Sequence, residues 1–446
     1  MRRTCEKQCF TPLAFSPILF FMYKSTIRAC YLGNFVGALI CNLAPLLYIT
    51  FMHEFSLSFE QVGRLTLLNF FTQIVADLVF SRPVDRYGIR PFITLGHGLA
   101  FVGLLMLAFT PSLFPNNPYI GLMVATVVYS SGGGLFELLL SAIVQGIPND
   151  SKERAMSLLH SFYAWGFIVV VVGTTAMLSL FGREHWPLVV LIWSVLPLVN
   201  FFNFLRVPLA PPIAEEHRTK IKTLFNSKYF LLVVFGIAVG GASEVSMSQW
   251  TSAFVESALQ LPKVVGDLVG LCMFALFLGI GRAVYGKYGD RLPVWKAMIY
   301  GSLLCVGCYL VAATSPWPLL SLFACALTGL GSSLLWPGSV VIGARHFPLA
   351  GASLFAMLAA AGDGGASIGP WLIGLTADIN PTLVHIFPWM RTLGEGESAL
   401  RSGMLIGMLF PALMAVTLLL MRREENRQKG QAVAKECSEK RLGALL

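Results

Sequence analysis

Twelve apolar stretches, each about 19–26 residues long, divide this chain. At 1.5 Å per helical residue, each is long enough to cross a hydrocarbon core of roughly 30 Å. They fall at 29–51, 61–80, 91–110, 118–141, 156–181 and 187–205, then at 229–254, 264–285, 295–313, 317–342, 351–376 and 402–421. In hydrocarbon every backbone N–H and C=O must find its partner inside the segment, so such stretches are predicted to be helices. Composition agrees. Of 446 residues 56% are hydrophobic and only 12% charged, about half the roughly 25% of a soluble domain. The expected fold class is an all-α membrane protein: twelve transmembrane helices in two pseudo-symmetric six-helix bundles.

The net charge of +9 is explained by placement. Basic residues crowd the loops of one side, among them Arg82, Arg86, Arg90, Lys152, Arg154, Arg218, Lys220, Lys222, Lys287 and Arg345, and fill both tails. The opposite loops hold Arg183, Lys263, Arg391 and Arg401. This asymmetry predicts that the basic side, with both termini, is cytoplasmic in a cell inner membrane. It also assigns the basic tail to anionic lipid and not to nucleic acid. The expected organisation is a leader at 1–28, a six-helix bundle at 29–206, a cytoplasmic linker at 207–228, a second bundle at 229–421 and a basic tail at 422–446. The leader's two prolines and its lack of a small-residue cleavage site favour an interfacial segment over a cleaved signal, and Met22 would also make a natural start.

Each half carries a related signature after its second span: "SRPVDRYGIRP" at 81–91 and "GKYGDRLPVWK" at 286–296. The repeated Asp-Arg pairs imply a duplicated fold. Twelve spans, a six-plus-six division and a G-x-x-x-D-R-type loop in each half resemble the major facilitator superfamily. That resemblance implies a gating role for Asp85, Arg86, Gly286, Asp290 and Arg291. The first loop departs from the pattern at Ser81 and Ile89. Two decoys are set aside. Gly281, Gly286 and Lys287 have G-x-x-x-x-G-K spacing but are followed by Tyr288, whereas a phosphate-binding loop needs Ser or Thr there and a preceding strand. Cys305 and Cys308 lie in an apolar run with no second ligand pair, as expected of small helix residues. No metal or other cofactor is indicated, and no motif with catalytic spacing points to an enzyme.

The polar residues inside the spans are the candidate site. A carboxylate at mid-helix costs roughly 2.5–3.5 kcal/mol on insertion scales, so it usually faces a bundle interior or a watery cavity. Glu137 in "GGGLFELLLSA", Glu244 in "GGASEVSMSQW" and Asp363 in "AAAGDGGASIGP" are in that position. Glu137 has two readings, a proton-coupling group or a neutral acid hydrogen-bonded between helices; Asp363 is a coupling group or a polar kink satisfied by its own backbone; Glu244, also a coupling candidate, suits a sugar site. Counting residues puts Glu137, His160 and Tyr163 at overlapping depth on neighbouring antiparallel helices. Gln249 and Trp250 beside Glu244 supply an amide and an aromatic plate. Arg282, near a helix end, is expected to snorkel or to pair with a cytoplasmic acid. Asp77 and Arg64 are expected at the interface.

"GGGLFE" followed by "MSLLHSFYAWG" resembles the fucose–proton symporter branch of the superfamily, through Gly132, Gly134 and Glu137, then Leu159, Phe162 and Gly166. Residues 240–250 and 335–348 resemble that branch's seventh and tenth spans. The resemblance implies that Glu137 couples protons, that His160 and Tyr163 face the substrate, and that the substrate is sugar- or polyol-like. Span one carries Asn34 and Asn42 where the fucose transporter has an acid, and Asn42 is a candidate substrate contact. The expected function is proton-coupled symport of a small polar solute by a monomer. The alternatives are an efflux antiporter of the same fold and a non-transporting solute sensor. The small loop and tail leave little room for a sensor's output domain.

Overall fold

In the computed structural model the described residues are 17–147, 152–209, 224–288, 293–347, 351–380 and 398–443. Among the described residues twelve long helical segments carry the chain back and forth. They are α1 (Pro17–Leu46), α2 (Phe59–Tyr87), α3 (Ile89–Ala108), α4 (Pro118–Gly146), α5 (Lys152–Phe181) and α6 (Trp186–Arg206), then α7 (Lys228–Ser257), α8 (Cys272–Tyr288), α9 (Val294–Thr314), α10 (Pro318–Ser332 and Leu335–His346), α11 (Gly351–Asp378) and α12 (Ser398–Gly407 and Leu409–Gly443). Among the described residues eleven helical segments are long and apolar enough to cross a membrane. The remaining helix is α11. Its 28 residues reach across, but its apolar run is diluted by the glycines around Asp363.

Several ends differ from the stretches read in the sequence. The first helix starts at Pro17 and stops at Leu46, and a separate short helix, Tyr48–Phe55, continues beyond Leu47. Pro45 lies in the last turn of α1; proline removes a backbone donor and crowds the preceding turn. Helix α2 runs on to Tyr87, past the apolar boundary at 80, and α12 continues into the charged tail. Ser58 opens α2 with a capping box: its hydroxyl accepts from Gln61 N while Gln61 Oε1 accepts from Ser58 N. Gly88, at φ +85°, makes the turn from α2 to α3, a conformation that favours glycine. In the first turn of α3 Arg90 donates to the carbonyls of Phe204 and Val207 at 2.7 and 2.8 Å. Its cation thus sits at the negative end of α6.

Within the first half α3 packs on α4 and α6, α1 on α5, and α2 on α4; within the second, α7 packs on α11, α9 and α8 on α10, and α11 on α12. The halves meet through α2 with α11, α5 with α8, and α1 with α7. The glycines of the "GGG" run explain how α4 approaches α2. A Cβ on Gly133 would lie 2.9 Å from Gln73 Oε1, and one on Gly134 would lie 2.7 Å from the Gln73 carbonyl and 2.8 Å from Ala76 Cβ. The two backbones therefore run nearly in contact just above Asp77 and Glu137.

Candidate functional site: a cleft between the halves

The bonds described between the two halves cluster on the face opposite the basic loops. At the start of α2 the amides of Phe59 and Glu60 donate to the two carboxylate oxygens of Asp378, at 3.0 and 2.7 Å. Trp371 Nε1 donates to Glu60 Oε1 at 2.7 Å, and Ser367 Oγ to the Leu67 carbonyl at 2.9 Å. At the α5–α8 contact the fully buried Asp267 accepts from Thr175 of the first half and from Lys263 Nζ, both at 2.7 Å, and from Ser252. Asp267 stands in the π-helical turn Gly266–Leu271, which leads into α8. Arg183 and Glu256 add an ion pair at the rim. Lys263, placed by the sequence in a loop, is in fact 7% exposed and engaged in this contact.

Toward the basic face the halves part. Glu137 and His160 are exposed there, and Arg282 keeps 44% of its side chain accessible. Deeper residues are closed in: Asn42, Gln249 and Trp250 are all buried. The cleft therefore opens to the basic side and ends near mid-membrane.

Three carboxyls converge at similar depth. Counting helical rise, Glu137 lies about 14 Å from the basic end of α4, Asp77 about 15 Å from that of α2 and Asp363 about 18 Å from that of α11. The side chains of Glu137 and Asp363, from opposite halves, are within hydrogen-bonding reach. Asp77 is in their electrostatic neighbourhood. Asp363 Oδ2 and Asp77 Oδ1 are buried with no hydrogen-bond donor among the described residues. Asp77 is thus not at an interface, as its place in the sequence suggested. Because α2 extends to Tyr87, its carboxyl is well inside the membrane beside Glu137.

Glu244 stands apart from this cluster. Its carboxylate pairs with Arg282 at 3.3 and 3.4 Å, and Arg282 Nε donates to the Ser333 carbonyl at 3.1 Å. The arginine's partner is therefore an acid within the cleft and not one in a cytoplasmic loop. His160 of the first half is in the electrostatic neighbourhood of Arg282. The Tyr163 side chain lies near Asn42 and Cys41, and Asn42 Nδ2 donates to the Ala38 carbonyl at 2.8 Å. Asn34 Nδ2 is used structurally, donating to the Leu159 carbonyl at 2.6 Å.

Gln249 and Trp250 are placed above the cleft. Gln249 Nε2 donates to the Cys41 carbonyl at 3.2 Å and its Oε1 accepts from Thr66 at 3.1 Å, so it ties α7 to α1 and α2. Trp250 has no exposed surface; it packs on Tyr48 and Phe59 and donates to the Pro370 carbonyl at 2.8 Å. In this conformation it is a packing residue of the closed side. Of the gating candidates, Arg86 is exposed at the end of α2, its guanidinium 5.2 Å from the Tyr87 ring centre. Gly286 is exposed near the end of α8. The Asp85 side chain, Asp290 and Arg291 lie outside the described residues.

The comparisons with known proteins agree with this architecture. The Major Facilitator Superfamily model matches residues 30–370, and the chain belongs to that superfamily. It is a multi-pass membrane protein and a secondary active transporter, not an enzyme. A multi-drug resistance efflux pump of Streptococcus pneumoniae, PmrA, is 25% identical over 354 residues, covering 74% of this chain and 84% of the pump. Among solved structures, a bacterial homologue of the human lysosomal transporter Spinster, in an inward-facing and occupied conformation, superimposes with a TM-score of 0.72 at 15% identity, covering 90% of this chain and 97% of its own. The fucose:proton symporter FucP of E. coli superimposes at 0.60 with 14% identity, covering 90% of this chain and 99% of its own.

Proposed function

We propose that this transporter is a proton-coupled symporter of a small, polar, sugar- or polyol-like solute. In this reading the basic face and both termini are cytoplasmic and the cleft is inward-open. The single observation that supports proton coupling is the meeting of Glu137 and Asp363 across the two halves. A proton between two carboxyls is a hydrogen bond; without it two like charges touch. At about 4 Å and an effective dielectric of about 20, that repulsion is on the order of 4 kcal/mol. Two conformations of one protein typically differ by only a few kcal/mol. Proton occupancy of the pair is thus strong enough to decide how the halves sit. The membrane supplies the drive, since one charge moved through 100 mV yields about 2.3 kcal/mol.

In this reading Asn42, His160 and Tyr163 on one wall, and Glu244 with Arg282 on the other, offer hydrogen bonds to hydroxyl groups. Asp85, Arg86, Gly286, Asp290 and Arg291 act at the cytoplasmic gate. A second reading, proton-coupled efflux, draws on the likeness to the pneumococcal pump.

The test is reconstitution into vesicles with a solute found by thermal-shift screening; saturation at 100 times the dissociation constant adds about 2.7 kcal/mol of stability. Glu137→Gln is expected to exchange solute across the membrane but not to accumulate it under a pH gradient. Accumulation at the wild-type level would overturn the proton assignment. The direction of proton flow under a solute gradient separates symport from efflux.

A further inference from the structure

On the basic face of the second half, a cavity of about 330 Å³ lies outside the cleft. Three helix ends and the middle of a fourth helix frame it: the first turn of α7 at Tyr229, the start of α9 at Pro293–Trp295, the end of α10 at Arg345 and His346, and α12 where the run "LLLM" gives way to "RREEN". The cavity therefore straddles the boundary between hydrocarbon and water. Its inner wall is apolar, with Leu418 and Met421. Leu419, one turn before Arg422, is 57% exposed and faces the bilayer.

The outer rim is cationic. Arg345 and Arg422 line it, and Lys296 stands beside Trp295, 5.6 Å from the ring centre. Arg422 lies over the same ring at 4.9 Å, which holds its guanidinium at the mouth. One acid lines the cavity: Glu425, 3.0 Å from Arg422. Arg345 has no acid partner among the described residues. Tyr229 and His346, stacked with centres 3.8 Å apart, close the remaining side. Two arginines against one acid leave the lining positive by about one charge, with Lys296 nearby, in the layer where lipid phosphates lie.

We infer that this cavity binds the phosphate headgroup of an anionic phospholipid from the leaflet on the basic side, with Arg345 and Arg422 on the phosphate and the acyl chains along the exposed face of α12. Guanidinium groups match phosphate oxygens in paired geometry, and aromatic rings suit the headgroup layer. An apolar wall continuous with the bilayer favours a lipid over a soluble phosphate.

The test uses the purified full-length protein. In native mass spectrometry with phosphatidylglycerol, the wild type is expected to retain about one lipid that resists activation. Retention should fall at least fivefold in Arg345→Ala/Arg422→Ala. Arg423→Ala, which removes an exposed cation outside the cavity, should retain the lipid like the wild type. Phosphatidylcholine should not substitute, and glycerol phosphate or inorganic phosphate should neither bind tightly nor displace the lipid. Unchanged retention in the double variant, or equal loss in Arg423→Ala, would overturn the inference. Tight binding of free phosphate would overturn its lipid source. A thermal melt of each variant in detergent without added lipid checks folding. If the double variant does not fold, Arg345→Gln and Arg422→Gln are measured singly and read by the same outcomes.

Discussion

Asp77 shows how a residue's meaning depends on where its helix ends. The apolar run around it stops at 80, which puts a carboxylate at 77 next to water. The helix continues through Ser81, Arg82 and Pro83 to Tyr87, and those extra turns carry Asp77 inside. In the proton-coupled reading Asp77, beside Glu137 and Asp363, assists proton transfer at the interhalf pair. Asp77→Asn is therefore expected to slow gradient-driven uptake several-fold while leaving solute binding intact; stopped-flow recording of internal pH would show a proton flux equal to wild type if Asp77 is a bystander. Asp363→Asn should lose accumulation as fully as Glu137→Gln does. Glu137 and Asp363 could be singled out from the sequence, because a carboxyl deep in an apolar run is costly wherever it occurs. Their meeting was not legible. It joins α4 to α11 across two separate bundles, and no local spacing encodes such a contact. Trp250 failed to read correctly for a related reason: an indole beside an acid looks like a ligand plate, yet its N–H is used by the Pro370 carbonyl and its faces by Tyr48 and Phe59.

At the scale of elements, α4 owes its position to what it lacks. Gly133 and Gly134 allow it to lie against α2 along Gln73 and Ala76, and this brings Glu137 to Asp77. Gly134→Val would set side-chain carbons into the Gln73 carbonyl. Overpacking of this kind costs about 1–3 kcal/mol. A lower melting temperature in detergent, together with impaired proton coupling, is expected; a melting curve matching wild type would mean that α2 and α4 do not need this approach. The twelve spans and their division into two halves were legible because hydrocarbon imposes length and apolarity on each helix. The π-helical turn at Gly266–Leu271 was not. It turns Asp267 to Lys263 and Thr175 through backbone geometry that no residue pattern announced.

For the whole molecule, the closed face predicts how the halves exchange positions. Asp378 accepts from two amides at the positive end of α2, and Asp267 gathers three donors at the α5–α8 contact. Asp378→Asn keeps the shape but removes the charge. The population is then expected to shift toward opening on that face. A cysteine at Ser367, now 2% exposed, should react with an impermeant maleimide from that side several-fold faster in the Asp378→Asn background. An unchanged labelling rate would show that the cap does not hold the closure.

A barrier sealed by greasy side chains must expose bare hydrocarbon when it parts. This one adds to the packed rings of Tyr48, Phe59 and Trp250 a set of stitches made from amides, hydroxyls, an ammonium group and carboxylates. As each stitch opens, a water molecule can take the place of the partner that leaves. The opening can therefore proceed one contact at a time, like a zip and not a cork. Isotopic solvent and small osmolytes, which alter how readily water enters such gaps, should change the turnover of this protein more than they change its affinity.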